Sequence, residues 1–177
     1  MKNLSITKHY ILGLIISILL IALDQFTKYL AVVYLKGTDG IDILKGIFKL
    51  YYLENRGAAF GILQNQQIFF LFSTGIVLLL LIYVYGRIPV DFKYTPLRFC
   101  SIFLFSGAIG NMIDRASQNY VVDFLYFELI DFPVFNVADI YVTVTTAIFI
   151  LLILFYYKES DLDNIKLLPW KKANKQE

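Results

Sequence analysis

Residues 10–35 read YILGLIISILLIALDQFTKYLAVVYL, and no charged residue appears before Asp24 and Lys28. A hydrocarbon core of about 30 Å takes roughly 17–25 helical residues to cross, so this run reads as a membrane-spanning helix. Working outward, three more stretches reach that length. Ile68–Tyr85 carries no charge, Leu97–Ile113 has Arg98 near its start, and Phe135–Tyr157 has Asp139 near its start. The composition agrees: 58% of residues are hydrophobic and 17% charged, against about 25% charged in soluble domains. Mean hydropathy is +0.65, and the apolar residues come in blocks that one water-soluble core could not hide. Lys2 and Lys8 before an apolar run resemble a signal peptide. The run continues past Asp24 without a small-residue cleavage site, and it reads as a retained helix. The expected fold is a single membrane all-α domain, residues 1–177, with spans at about 10–35, 68–85, 97–113 and 135–157.

Several chemistries drop out early. A net charge of +2, with no basic run interleaved with stacking aromatics, points away from nucleic acid. Thirteen tyrosines and 16 phenylalanines suit membrane interfaces and lipid contact. Cys100 is the only cysteine and His9 the only histidine, which removes disulfides, Ser-His and Cys-His catalysis and His-ligated zinc. A hydrolase built from this chain has to work with carboxylates.

Basic residues set the expected orientation. With the N-terminus inside, Lys2, Lys8, Arg87, Lys93, Arg98, Lys158, Lys166, Lys171, Lys172 and Lys175 are cytoplasmic. Lys36, Lys45, Lys49 and Arg56 lie outside, with Arg115 at a helix end. Ten against five places both termini in the cytoplasm, and residues 116–133 contain no Lys or Arg at all. The outer segment, about 37–66, is more than a linker. Residues 47–54, IFKLYYLE, are rich in strand formers, and Lys45-Gly46 can turn a short hairpin, so a small β-rich cradle is expected at the membrane surface. The tail, 158–177, reads as charged, polar and loosely ordered. No internal repeat is visible.

Ionisable groups near a span are costly, about 2.5–3.5 kcal/mol at a helix centre on insertion scales. Asp24, Lys28, Asp114, Arg115 and Asp139 sit in such places, all toward the outer ends of the spans. Asp24 and Lys28, four apart, form either a packing ion pair or part of a reaction site. In Ser106-Gly-Ala-Ile-Gly-Asn-Met-Ile-Asp-Arg115, Ser106 and Gly110 allow close helix approach. Asn111 and Arg115 share a face there, and either finish a capped helix end or hold a peptide backbone. Asp139 shares a face with Asn136, and Asp123 lies in a Val121-Val-Asp-Phe124 stretch that reads as extended and buried. Only 15 residues separate the two aspartates, so the loop can bring them together. Two carboxylates in contact share one proton, which suits an aspartic protease. Caps, salt bridges or a proton-coupled carrier would also use paired acids.

Five motifs in order carry a resemblance. Asp24-Gln-Phe-Thr-Lys28, Asn55-Arg-Gly-Ala-Ala-Phe-Gly61, Gly110-Asn-Met-Ile-Asp-Arg115, Val122-Asp-Phe124 and Phe135-Asn-Val-Ala-Asp139 together resemble the lipoprotein signal peptidases, the bacterial signal peptidase II family. The resemblance implies an aspartic endopeptidase of the bacterial cytoplasmic membrane. Its substrates would be diacylglyceryl-modified prolipoproteins, cut just before the lipidated cysteine at a site toward the outer face. By position, Asp123 and Asp139 would be the catalytic pair. Asn55, Gly57, Asn111, Arg115 and Asn136 would bind substrate, with the small Ala58 and Ala59 letting the outer segment come close, and Asp24 and Lys28 would support the fold. No metal or organic cofactor is implied, and a monomer in contact with membrane lipid is expected. Two departures from the family pattern stand out: Ser106 and Asn119-Tyr120 occur where members often carry Gly. Two rival readings are a proton-coupled carrier, which would usually show repeats and broken helices, and a noncatalytic membrane scaffold, which would need neither aspartate.

Overall fold

The computed structural model describes residues 2–57 and 66–165; Ala58, Ala59 and the tail from residue 166 lie outside the described residues. Among the described residues, four helices are long and apolar enough to cross a membrane. α1 spans Lys2–Leu35, β1 Ile41–Leu44, β2 Phe48–Asn55, α2 Gln67–Arg87, α3 Thr95–Gln118, β3 Val121–Tyr126 and α4 Val137–Leu151. A π-helical turn, Leu152–Tyr156, extends α4, and a short α5 follows at Glu159–Asp163. Large apolar side chains such as Leu19, Phe72, Leu79 and Phe155 stand exposed along these helices. A contiguous apolar belt of this kind needs lipid around it.

α3 is the central post and packs against α1, α2 and α4. It can do so because small residues let other backbones close in. A Cβ on Gly107 would come within 2.7 Å of the Ala138 carbonyl, and one on Gly110 would run into the Asp24 carboxylate. Ser106, fully buried just before them in sequence, donates its hydroxyl to the Ile102 carbonyl at 2.7 Å. The helix begins with proline in its first turn. It ends at Asn119, which takes the left-handed conformation at φ 63° that a glycine would adopt freely. α3 therefore continues past residue 113 to Gln118, with Arg115 in its last turn. Asp114 and Arg115 remain in regular helix because the stop signal is Asn119, not the first charges.

The cradle also differs from a segment confined between α1 and α2. β1 and β2 do form the hairpin, with Gly46 at φ +71° in its turn. β3, arriving after α3, adds a third antiparallel strand beside β2, pairing Leu53 with Asp123 and Asn55 with Val121. Val122 and Phe124 bury their other face against Ala31 and Leu35 at the end of α1, which seats the sheet on the helices. Phe135 then returns the chain to β3, its carbonyl accepting the N–H groups of Phe124 and Leu125.

At the opposite end, the described part of the tail, through Ile165, is folded. α5 folds back on the loop between α2 and α3. Tyr157 stacks on Tyr94 with ring centres 5.7 Å apart, the Tyr94 hydroxyl donates to the Asp161 carbonyl at 3.0 Å, and Lys93 pairs with Asp161 at 2.6 Å. Ile88, Leu97 and Ile165 complete this small core. The charged residues that make the segment look like loose tail are the ones that dock it.

Candidate active site

Asp139 is placed by the start of α4. Asn136 is the N-cap: its side-chain oxygen accepts the Asp139 N–H at 3.0 Å, and Asp139 Oδ2 accepts the Asn136 N–H at 3.1 Å. This reciprocal capping box satisfies two N–H groups that a helix start leaves free. Asp139 Oδ1 accepts from Asn111 Nδ2 at 2.8 Å, reaching across from α3.

Asp123 is placed by β3, with both of its oxygens supplied by amides. Oδ1 accepts from Asn136 Nδ2 at 2.6 Å and Oδ2 from Asn55 Nδ2 at 2.8 Å. Asn55 is oriented in turn by the Gly57 N–H, which donates to its Oδ1 at 3.0 Å. Asp123 is 1% exposed, and burial pushes its carboxyl up to about 7. The nearby charge of Asp139 adds to that, while the Asn55 and Asn136 donors pull partly back. Asn136 thus stands between the two acids, touching both. The pair is bridged by one asparagine.

Behind this pair lies a buried ionic knot. Lys28, 3% exposed, donates to Asp24 Oδ2 at 3.0 Å, Asp114 Oδ2 at 3.0 Å and Asn111 Oδ1 at 2.9 Å. Asp24 Oδ1 accepts the Ala138 N–H at 2.9 Å, and Asp114 Oδ2 also accepts the Val122 N–H at 3.1 Å. The Asp24–Lys28 pair is therefore real, and each partner ties α1 to an element bearing a site residue. Asp114 pairs with Lys28 rather than with its chain neighbour Arg115. Gln25, not singled out in the sequence, joins the same knot: its Nε2 lies 3.0 Å from Asp114 Oδ1 and 3.1 Å from the Gly110 carbonyl. The signal was present: a glutamine beside an aspartate inside an apolar run needs partners of its own.

Arg115 points away from this knot. Its guanidinium lies over the Phe70 ring of α2 and donates to the Gly57 carbonyl at 3.4 Å. Asn55, Gly57, Asn111, Arg115, Asp123 and Asp139 all line one cavity of about 1050 Å³. Its upper wall is the sheet face bearing Lys49, Tyr51 and Tyr126. Its lower reach, between α2, α3 and α4, is lined by Ser73, Val77, Gly107, Ala108 and Val142. Asn136 and Lys28 lie behind the wall. The site residues read from the sequence thus gather at one place, in two layers.

Comparison with known proteins gives this arrangement a context. The family model for signal peptidase (SPase) II matches residues 16–155. The chain is 44% identical to the lipoprotein signal peptidase of Brevibacillus brevis over 137 residues, which is 77% of this chain and 91% of that one. It is 40% identical to the lipoprotein signal peptidase of Clostridium tetani, covering 87% and 97%. A bacterial membrane enzyme solved at 2.3 Å superposes with a TM-score of 0.72 at 29% identity, over 93% of this chain and 94% of the other. A second, solved at 1.9 Å, gives 0.70 at 31% identity, over 82% and 94%. With four spanning helices, a sheet on one end and a carboxylate pair beneath it, the chain belongs to the signal peptidase II family of membrane proteases.

Proposed function

We propose that the chain removes signal peptides from diacylglyceryl-modified prolipoproteins by aspartic catalysis, cutting before the lipidated cysteine, with Asp123 and Asp139 as the reacting pair. One observation carries the reading: a buried carboxylate, Asp123, and a half-buried one, Asp139, border a single cleft that is polar beside the sheet and apolar between the helices. Such a cleft suits a substrate whose apolar segment stays in the bilayer while its scissile bond is held at the surface by a lipid anchor. The carrier reading has less behind it, since the family is one of proteases.

The chemistry follows from the pair holding one proton. The ionised carboxylate takes a proton from water as the oxygen attacks the scissile carbonyl carbon. The protonated partner gives its proton toward the carbonyl oxygen. As the tetrahedral species collapses and the C–N bond breaks, the first carboxyl passes its proton to the departing amine. Asn55, Asn111 and Asn136 keep donors on both acids, while Arg115 and the Gly57 backbone face the space a substrate backbone would enter. The surplus of basic residues away from the sheet end supports a cytoplasmic location for both termini and an active site toward the outer face. All the site residues come from one chain, which supports a working monomer surrounded by lipid.

The test is release of the signal peptide from a purified diacylated prolipoprotein, with wild type beside Asp139→Asn. Cleavage by the first and none by folded Asp139→Asn is expected. Equal cleavage by both would remove the assignment.

A further inference from the structure

Lys28 borders neither the cleft nor the acids, yet one of its bonds leads to them. Its three N–H groups meet three acceptors, and the third is Asn111 Oδ1 at 2.9 Å. A side-chain amide has two unlike ends, an oxygen that accepts and a nitrogen that donates, whereas an ammonium can only donate. Facing Lys28, Asn111 has to present its oxygen. Asn136 Nδ2, 3.1 Å from the same oxygen, imposes the same choice. The Asn111 nitrogen is thereby turned to Asp139 Oδ1 at 2.8 Å. Rotated by half a turn, Asn111 would set oxygen against the carboxylate and NH₂ against the ammonium.

The anchors of Lys28 reach both acids by a second route. Asp24 holds the Ala138 N–H, one residue before Asp139, and Asp114 holds the Val122 N–H, one residue before Asp123. Both carboxylates are buried, as is the lysine. One cation therefore sits where the backbones bearing both acids and the amide touching one of them converge. Resting on the aspartic-peptidase reading above, we propose that Lys28 is a positioning residue for peptide cleavage, fixing the Asn111 amide so that a donor stays on Asp139.

A purely structural ion pair would change stability and leave turnover per folded molecule alone. Lys28→Met by itself leaves Asp24 and Asp114 buried without their cation, which is strongly destabilising. Lys28→Met combined with Asp114→Asn removes one charge of each sign, and Asp114→Asn alone is its reference. kcat and KM are measured on a diacylated precursor per mole of folded protein. Relative to that reference, the combined variant is expected to lose about 100-fold in kcat, with KM changed by less than about threefold. Adding Asn111→Ala to both should shrink the effect of Lys28→Met to less than about threefold, because no amide is left to orient. Asn111→Asp supplies an independent arm that leaves Lys28 intact: the ammonium keeps an acceptor, the fold is retained, and kcat falls because Asp139 has lost its donor. Unchanged kcat in the combined variant, an undiminished Lys28 effect without Asn111, or full turnover in folded Asn111→Asp would each overturn the proposal. Asp139→Asn in the same assay reports separately on the peptidase reading, since turnover there would sink that reading whatever Lys28 does.

Discussion

Asp123 is a carboxyl that the fold holds against its ordinary chemistry. Its pKa is pushed up to about 7 from 3.8, so folding takes up a proton between those values. The contribution of this group to stability is present in full below about pH 4 and is lost as pH rises through about 7. Thermal unfolding in detergent across that range should show the decline, and Asp123→Asn should flatten it. Catalysis has the same limb. In the aspartic mechanism proposed above the pair would work with one proton between its members, so kcat/KM should fall on the alkaline side of about pH 7. Asp123→Asn or Asp139→Asn alone should lower turnover by at least about 10³-fold, with the double variant little worse, because groups acting as a unit lose their effect together.

At the scale of elements, small residues and helix ends do the placing. Gly110→Ala should cost about 1–3 kcal/mol in thermal unfolding, since its Cβ runs into the Asp24 carboxylate and lies 3.3 Å from Ala138 Cβ. Asn119→Gly should leave stability within about 1 kcal/mol of wild type. Asn119→Val should lose about 1–2 kcal/mol, because a β-branched side chain resists φ near 63°. Such positions also mark what the sequence made legible. Four apolar blocks announced four helices, and the strand formers of 47–54 announced β2, because each signal is local. The third strand was not legible as part of the same sheet, since pairing β3 with β2 joins residues far apart in the chain, such as Leu53 and Asp123. The gathering of Asp123, Asp139, Asn111 and Asn136 was legible from motif order. The partner of Asp114 was not: adjacency favoured Arg115, and only the packing of α1 on α3 brings Lys28 to it. The docking of α5 was hidden likewise, because Asp161 and Lys93 look like solvent-facing charges until the fold brings them into a direct pair beside the stacked Tyr94 and Tyr157.

At the scale of the whole molecule, orientation and lipid decide what reaches the cleft. A cysteine in place of Asp91 should be shielded from an impermeant thiol reagent in intact cells, while one in place of Asp42 should react; the buried Cys100 leaves the background low. The reverse pattern would put the cleft on the other side of the membrane. A precursor lacking its diacylglycerol should be cut at least about tenfold more slowly than the modified one, because the anchor brings the scissile bond to the site instead of leaving it to encounter. Equal rates would remove the lipid from the account and leave the carboxylates in place.

The capping box at the start of α4 gives the two acids unequal histories under selection. Asp139 closes a helix end as well as facing the cleft, and a cap of this kind contributes about 1 kcal/mol. A descendant that had lost its catalytic task would still be favoured for keeping it. Asp123 closes no helix end, although it accepts from Asn55 and Asn136, and its burial works against the folded chain at neutral pH. Once turnover ceased to matter, position 123 would drift first, toward an asparagine or an apolar residue. On the reading proposed above, a chain of this architecture that keeps Asp139 but has lost Asp123 is expected to have lost its peptidase activity.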